Sequence, residues 1–430
     1  MAARRPEEPR SALRAAGAGR PLLILVESLA QSTREYLVAA IASRCRIWLL
    51  ASVPPTWELP FLAGHTVVDT LNAAAMSAAA GGLGASGVLC WDEVRIEAAA
   101  RLAAALGLPC GDPGAVRRCR DKHLTRAALA EAGVPQPESV PVASAAQAAA
   151  AAARIGYPVV LKPRALAGSY GVVKVCCAAD LDAAYRHAAG TTLAGVPGFT
   201  AGVLVEEYAD GPEISIDAIS SGGAVTPLYL ARKQLGFPPY FEETGHLVDA
   251  ADPLAADPEL LGVLTAAHKA VGMAEGWTHT EIRLTSRGPR LVEINARIGG
   301  DMIPYLGALA TGIDPGLAAA ALACGEPVPL TASRPTASGT TAAAVRFLYP
   351  PHDLTASQVR VDETALPPGI EMVRVLAVPG QQVRLPPDGH ISGRFAFVVA
   401  AGDSAAGCAA LLDRAAAAIT IQGSRLGPPR

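Results

Sequence analysis

The sequence predicts a multidomain chain of mixed class, in which a parallel α/β domain is followed by α+β domains. Its 430 residues are too many for one hydrophobic core. Short apolar runs alternate with Ala-rich helical stretches near the N-terminus, and later runs alternate polar with apolar residues around a Gly/Pro break. We therefore expect a disordered tail over 1–20, an α/β domain over 21–115, a central domain over 116–335 and a C-terminal α+β domain over 336–430.

Composition excludes several classes of partner. There are 36 basic and 39 acidic residues, a formal charge of −3, so the basic surplus that binds nucleic acid is missing. Each apolar run is shorter than the roughly 18 to 20 residues that cross a bilayer. The eight cysteines form no pair with zinc-like spacing. These features predict a soluble cytoplasmic protein that binds neither nucleic acid nor membrane.

The first domain, from Leu22 to about Pro113, reads as strands spaced by helices, which indicates a parallel sheet. Residues 82–87 match G-x-G-x-x-G, but a helical run precedes them and a strand follows, the reverse of a dinucleotide site. We interpret this match as a helix-to-strand connection. Asp92 and Glu93 follow a strand, where open α/β sheets bind ligands, so one of them could hold a substrate ammonium. A helix-capping role fits equally well, most readily for Asp92.

Two lysines and a Gly-rich loop form the next candidate group. Lys122 stands in the first turn of a helix, the unfavourable end for a cation, which hints at an anionic ligand. Lys162 ends a strand that a loop with Gly168, Ser169 and Gly171 connects to the next strand. Such a loop brings backbone N–H groups close to phosphate oxygens, although an ordinary turn is the commoner use of these residues. The chain has no Walker motif.

An acidic connection between two strands follows. Backbone groups of Glu206, Glu207 and Ala209 could meet an adenine edge, and Glu213 could accept hydrogen bonds from ribose hydroxyls. The alternative is an acidic surface turn. The stretch 227–250 carries Arg232, Lys233 and His246 and is predicted to be loop-like.

Residues 279–301 predict a β-hairpin with an unusually charged face. Glu281 on one strand and Glu293, Asn295 and Arg297 on the other belong to this face, and we expect Glu281 to lie opposite Glu293 or Asn295. Facing carboxylates repel, and a hard cation such as Mg²⁺ removes the repulsion. A solvated hairpin face is the alternative. The residues predicted to point toward the core are Ile282, Leu284, Val292 and Ile294.

The order of these motifs resembles the ATP-grasp superfamily over about 116–335: a Lys near a helix start, a Lys before a Gly-rich hairpin, E-E-Y-x-x-G-P-E, then E-I-R-L and V-E-I-N-A-R. Within it, T-H-T-E-I-R-L and V-E-I-N-A-R-I-G-G-D-M-I-P look most like the L-amino acid ligases and related carboxylate–amine ligases. The region after 336 is similar to the C-terminal α+β domain of those ligases.

The resemblance implies that ATP lies between two lobes, with a flap lobe at about 140–205. It assigns phosphate contacts, flap, adenine hinge and ribose contact to Lys122, Lys162, Gly168, Ser169, Gly171, Glu206, Glu207, Ala209 and Glu213. It assigns Mg²⁺, or Mn²⁺ in its place, to Glu281, Glu293 and Asn295. Arg297 would steady the transferring phosphoryl group, and catalytic roles are also expected for Lys162, Lys233 and Glu93.

The expected activity is ATP-dependent amide formation between a carboxylate and an amine through an acyl phosphate, with an amino acid as one substrate, in antibiotic-type secondary metabolism. Residues Gly299–Asp301 and Glu93 are candidates for contact with the substrates. The alternatives are an enzyme of the biotin-carboxylase or carbamoyl-phosphate type that activates bicarbonate, and an ATP-binding module without catalysis. The resemblance also implies a homodimer.

Overall fold

The structure is a computed structural model that describes residues 19–193, 196, 202–331 and 339–427. Nearly all of the expected tail over 1–20 lies outside these residues. The chain divides into two compact units. One comprises Met1–Cys110 and Asp314–Pro329, and the other comprises Gly111–Ile313 and Leu330–Arg430.

The helices of the described residues follow one another along the chain. They are α1 (Gln31–Arg44), α2 (Ala73–Ala80), α3 (Ile96–Ala105), α4 (Pro113–Arg120), α5 (Lys122–Glu131), α6 (Ala145–Ile155), α7 (Ala178–Gly190), α8 (Pro258–Val271), α9 (Ile303–Thr311), α10 (Pro315–Ala323) and α11 (Ala405–Ala417).

The strands lie between these helices, singly or in hairpins. They are β1 (Leu22–Val26), β2 (Arg46–Ala51), β3 (Leu62–Val67), β4 (Gly87–Cys90), β5 (Ser139–Val142), β6 (Val159–Pro163), β7 (Val173–Val175), β8 (Val203–Glu207), β9 (Glu213–Ser221), β10 (Ala224–Gly236), β11 (Glu242–Asp249), β12 (Gly276–Thr285), β13 (Gly288–Asn295), β14 (Ala342–Leu348), β15 (Leu354–Val361), β16 (Ile370–Val375), β17 (Gln382–Val383), β18 (Ala396–Gly402) and β19 (Ile419–Arg425).

The first unit is built on a parallel sheet with the order β3-β2-β1-β4, as predicted. Helix α10 belongs to this unit although it follows far along the chain. It packs on the start of β4, where a Cβ on Gly87 would lie 2.2 Å from the carbonyl oxygen of Ala323. The G-x-G-x-x-G match connects α2 to β4, which confirms that it is a helix-to-strand connection.

Asp92 and Glu93 lie in the turn between β4 and α3. The buried Asp92 carboxylate accepts the N–H of Val94 (2.9 Å) and pairs with Arg95 (2.6 Å). Asp92 therefore fixes the turn that precedes α3, which begins at Ile96. The substrate role of Glu93 stays a prediction.

A small antiparallel sheet in the second unit, β5-β8-β6-β7, carries the Gly-rich loop between β6 and β7. Its apolar face packs against α6 and α7 around Ala148, Ala152 and Leu181. The two predicted strands that flank the loop are thus confirmed, and the loop sits on a well-packed base.

The second unit also holds an eight-stranded antiparallel sheet of order β13-β12-β9-β10-β11-β14-β18-β16. One expectation was wrong. The stretch 227–250 is the hairpin β10–β11 rather than a loop, because its charged residues pair with neighbouring strands and so hide the strand pattern. The last helix, α11, is followed by the further strand β19, which pairs with β15.

The C-terminal region extends the central sheet, since β14 pairs with β11. Its own core forms where α11 covers β14 and β18, with Val398, Cys408 and Leu412 buried. Within the described ranges, no single helix combines the length and the apolar character that crossing a bilayer requires. Only α9 and α10, taken together across the break between them, pass that test.

Candidate active site

A cavity in the second unit brings together most of the residues that the sequence singled out. It is bounded by the start of α5, the loop after β6, the connection after β8 and the hairpin β12–β13. The predicted residues that line it are Lys122, Lys162, Gly168, Ser169, Glu206, Glu207, Ala209, Glu213, Glu281, Glu293, Asn295 and Arg297.

Three predicted residues are not among the lining side chains. Lys233 lies directly behind the lining, with its Nζ 3.1 Å from Glu281 and 2.8 Å from Glu243. Gly171 belongs to the Gly-rich loop 164–172 between β6 and β7, which we call the flap loop. A Cβ added to Gly171 would lie 2.7 Å from Cγ of Pro163. Glu93 belongs to the first unit.

The hairpin β12–β13 has the expected register, with Glu281 directly opposite Glu293 and His279 opposite Asn295. A β-bulge follows, because Ile282 pairs with Leu291 and leaves Val292 as the extra residue. Val292 consequently lines the cavity instead of pointing to the core, which corrects one of the facing predictions.

The facing carboxylates are compensated by cations from other elements. Glu293 lies 3.0 Å from the ammonium of Lys122, and Glu281 lies 3.1 Å from that of Lys233 and 3.5 Å from Nε2 of His279. Burial raises the pKa of Glu281, but Lys233 and His279 outweigh this and lower it to about 2. Glu281 is therefore ionised at neutral pH. With the amide oxygen of the buried Asn295, the carboxylates of Glu281 and Glu293 form an all-oxygen donor set that fits a hard divalent cation.

A second group with ligand chemistry lies beside the first. Atoms of Glu243, His246 and Asp301 all lie within 4.8 Å of one another, with Nε2 of His246 placed 3.1 Å from Glu243 and 3.2 Å from Asp301. The two carboxylates raise the pKa of His246 against the effect of burial. Arg394 also binds Asp301 at 2.8 Å, and Lys233 binds Glu243. The carboxylates of this group are thus balanced in charge by Lys233 and Arg394.

Lys162 is fixed in place by a buried ionic network. Its Nζ lies 2.7 Å from Glu206, and the guanidinium of Arg126 binds both oxygens of Glu206 at 2.8 and 3.0 Å. Arg126 also donates to the backbone carbonyls of Leu291 and Val292 in the hairpin. Burial lowers the pKa of Lys162. The side chain of Glu206 therefore holds Lys162 in place, and the adenine contact expected of its backbone stays a prediction.

The flap loop has a backbone that few side chains tolerate. Gly168, Ser169 and Gly171 have φ values of +65°, +57° and +74°. Lys122 donates from Nζ to the carbonyl oxygen of Leu166 in the same loop. The loop is therefore tied to the start of α5, and both of its ends face the cavity.

The connection after β8 offers an aromatic wall. The Lys174 ammonium lies 3.7 Å from the ring centroid of Tyr208, and the ring of Phe241 lies 6.4 Å from that of Tyr208. Glu213 pairs with Arg283 at 2.8 Å and with Lys233 at 2.7 Å. An apolar slot next to a buried carboxylate suits a planar base that is followed by a sugar.

Neighbouring cations of β10 have opposite surroundings. The Lys233 side chain is 2% exposed and is enclosed by Glu213, Glu243 and Glu281, which raise its pKa well above the ordinary value although burial acts against them. Arg232 is 42% exposed and pairs with Asp252 at 2.6 Å. Strand alternation sends Arg232 away from the cavity.

Several residues that build the site were not found by sequence reasoning. Arg126 looks like an ordinary helix residue, and Arg283 looks like one charge on a charged strand. Arg394 lies in a region where we found no motif. The one available signal was the density of charge over 227–250. The residues in question are Arg126, Phe241, Glu243, Arg283 and Arg394.

Comparison with known proteins shows the family to which the chain belongs. Residues 155–305 match the ATP-grasp domain, and residues 346–423 match the L-amino acid ligase C-terminal domain 2. The chain is 30% identical to the uncharacterized protein y4rH of Sinorhizobium fredii over 418 residues, covering 93% of this chain and 82% of that protein. The chain belongs to the ATP-grasp ligases.

Other ATP-grasp relatives match over a smaller part of their length. Alanine–anticapsin ligase of Bacillus subtilis is 28% identical, and the match covers 52% of this chain and 51% of that protein. Phosphoribosylamine–glycine ligase of Streptomyces coelicolor is 33% identical over 54% of this chain and 56% of that protein. The chain thus spans about half the length of these two relatives.

Solved structures support the same fold. The L-amino acid ligase from Bacillus licheniformis superimposes with a TM-score of 0.76 at 21% identity, covering 94% of this chain and 99% of that chain. At this identity the likeness speaks for the fold alone. The ATP-grasp fold with an N-terminal parallel sheet and antiparallel sheets beyond it is therefore confirmed.

Proposed function

We propose that this ATP-grasp ligase activates the carboxylate of an amino acid with ATP and joins it to an amine through an amide bond. The observation that carries the proposal is the convergence of Lys122, Lys162 and Arg297 with Glu281 and Glu293 on one cavity. Relatives named alanine–anticapsin ligase and D-alanine–D-alanine ligase support an amino acid as one partner. A role in antibiotic-type metabolism and a homodimeric state stay predictions.

The chemistry needs charge neutralisation more than covalent help from the protein. A carboxylate oxygen attacks the γ-phosphorus, and the bond to the β–γ bridging oxygen breaks, so ADP leaves with the electron pair. The amine nitrogen then attacks the carbonyl carbon of the acyl phosphate. Phosphate departs with the electrons of the C–O bond, and the nitrogen loses a proton to solvent.

Each step has a proposed contributor in the cavity. Lys122 and Lys162 bind phosphate oxygens, and Arg297 stabilises charge on the phosphoryl group in transfer. Glu206 pairs with Lys162 and is itself bound by Arg126, so the ammonium of Lys162 is held in position. Mg²⁺ bound by Glu281, Glu293 and Asn295 would neutralise further phosphate charge, and Mn²⁺ suits the same oxygens.

The flap protects the intermediate. Acyl phosphates hydrolyse in water, so the loop that carries Gly168, Ser169 and Gly171 must exclude water while the amine reacts. The φ of +57° at Ser169 supports a specialised role for this loop, since a residue other than glycine keeps such a conformation only where its surroundings impose it.

Pairwise screening of amino acids, other carboxylic acids and amines with ATP and Mg²⁺ tests the proposal. We expect phosphate release that depends on both partners and a product with the mass of the two partners minus water. Arg297→Ala serves as the inactive control. ADP release that depends on bicarbonate and needs no amino acid would instead indicate a bicarbonate-activating enzyme, and ATP binding without turnover would indicate a binding module.

A further inference from the structure

The flap loop touches a short segment of the C-terminal region. This segment is the 3-10 helix His390–Gly393, and we call it the 390–393 helix. The rings of Tyr170 and His390 lie 4.8 Å apart between centroids. A Cβ added to Gly168 would lie 2.9 Å from Cδ1 of Ile391, so the loop backbone rests on that side chain. Two contacts therefore join the tip of the flap to the 390–393 helix.

The 390–393 helix is held in place by a polar contact and by backbone packing. Nδ1 of the buried His390 lies 3.2 Å from the carboxylate of Glu242, which also accepts the hydroxyl of Tyr349 at 2.5 Å. His390 has a φ of +39°, a strained value for a residue other than glycine. A Cβ on Gly393 would meet the carbonyl oxygen of Arg384 at 2.1 Å, so backbone packs on backbone there. A segment held this way is a rigid support.

The same segment leads directly into Arg394, which binds the loop after β13. Arg394 follows the 390–393 helix and binds Asp301 at 2.8 Å and the hydroxyl of Tyr349 at 2.9 Å. Its guanidinium also lies 3.7 Å from the ring centroid of Phe347. Asp301 stands four residues after Arg297, so this anchor reaches both the flap and the loop that presents Arg297.

We propose that His390 and Ile391 are positioning residues that hold the flap loop in place over the phosphate-binding part of the cavity. The two contacts are of different kinds, since one is a ring against a ring and the other is an aliphatic side chain against a glycine backbone. A bulky side chain at residue 168 has no room against Ile391. The C-terminal region thereby contributes to catalysis without contacting the reacting atoms.

The consequence concerns how ATP use is coupled to amide formation, and in this respect the inference rests on the proposed function. When the flap opens early, water attacks the acyl phosphate and returns carboxylate and phosphate. ATP is then consumed without product. Loosening the support should raise the ratio of phosphate released to amide formed, more than it changes the KM for ATP.

The test compares Ile391→Ala with Val378→Ala, since both remove an exposed aliphatic side chain from the C-terminal region (38% and 60% exposed). Hydrogen exchange of the backbone over 164–172 is measured with ADP bound. We expect Ile391→Ala to speed this exchange and to raise the phosphate-to-amide ratio by roughly three- to ten-fold, the effect of losing one apolar contact. Val378→Ala should change neither.

A second variant changes Tyr170, the residue of the flap loop that contacts His390. Tyr170→Leu removes the ring that faces His390 and should speed the same exchange, while Tyr170→Phe retains the ring and should rescue it. Equal exchange and an equal ratio in wild type, Ile391→Ala and Tyr170→Leu would overturn the inference. If the wild type forms no amide at all, the proposed function fails, and the exchange measurement still decides whether the flap is held.

Discussion

The hairpins β12–β13 and β10–β11 belong to one sheet and are separated only by β9, yet their charged side chains are arranged in different ways. On β12–β13, two carboxylates face each other in register, Glu281 and Glu293. On β10–β11, Lys233 faces His246, and Glu243 contacts both of them. The first hairpin carries the oxygen atoms that we propose as cation ligands, and the second carries cations and anions together.

This difference shows which charge patterns in a sequence predict a binding function. Like charges on facing strands cannot neutralise each other, so a pattern such as E-I-R-L followed by V-E-I-N predicts from spacing alone that cations from outside the hairpin, bound or built in, compensate the pair. Opposite charges remedy one another inside the protein. A balanced cluster such as Lys233, Glu213 and Glu243 therefore gives no comparable signal in the sequence, although it supports the neighbouring hairpin through the contact of Lys233 with Glu281.

The largest expected effect concerns the function of β12–β13. Arg297→Ala and Glu293→Gln should each lower kcat by about 100-fold to 1,000-fold, because each removes charge stabilisation of phosphoryl transfer. The Tm of Arg297→Ala should stay within about 2 °C of wild type, because this side chain is not part of a hydrophobic core. Steady-state phosphate release and thermal unfolding measure the two quantities. Normal carboxylate-dependent phosphate release by both variants would remove this hairpin from the mechanism.

The second effect concerns the stability that β10–β11 provides. Lys233→Met leaves the buried carboxylate of Glu213 and the half-buried ones of Glu243 and Glu281 without their shared cation and should lower the free energy of unfolding by about 3 to 5 kcal/mol. Arg232→Met is the matched control on the adjacent, exposed position and should cost under about 1 kcal/mol. Urea unfolding at neutral pH gives both values. Equal losses for the two variants would contradict the contrast between the two faces of β10.

A third effect tests whether a balanced cluster responds to pH as expected. Burial raises the pKa of Glu206, but Arg126 and Lys162 outweigh it and lower the pKa from 4.5 to about 2. A lowered pKa means that the stabilisation is complete above pH 4.5 and is lost as the pH falls toward 2. The stability difference between wild type and Glu206→Gln, on the order of 3 kcal/mol at pH 7, should therefore shrink over that range. Urea titrations at several pH values measure it, and a constant difference would show that Glu206 is not held ionised.

The smallest effect concerns the tip of β12–β13. Arg287 is 55% exposed and pairs with Glu207 at the surface. Arg287→Ala should change the free energy of unfolding by under about 0.5 kcal/mol and leave kcat unchanged, because exposed ion pairs contribute little. Compared with Arg297→Ala, this variant tests whether the exposed tip of the hairpin contributes to kcat as its cavity-lining face does. A large loss of kcat in Arg287→Ala would extend the site beyond the cavity.

Sequence pattern alone determined much of this protein. Strand and helix alternation predicted the parallel sheet, and the two-residue period of a strand predicted Glu281 opposite Glu293 or Asn295, of which the structure has Glu293. The order of motifs predicted the family, since each motif is local in sequence. The same reasoning failed over 227–250, where strand β10 carries charged residues on both faces and so lacks the polar–apolar alternation of a half-buried strand.

Only the tertiary structure decided which charges neutralise one another. Arg126 meets Glu206 across 80 residues, and Arg394 meets Asp301 across 93. The energy of a buried ion depends on the partners that surround it, and those partners come from separate strands and helices. Spacing along the chain carries the periodicity of each element, but the pairing of distant elements arises only when the sheets assemble.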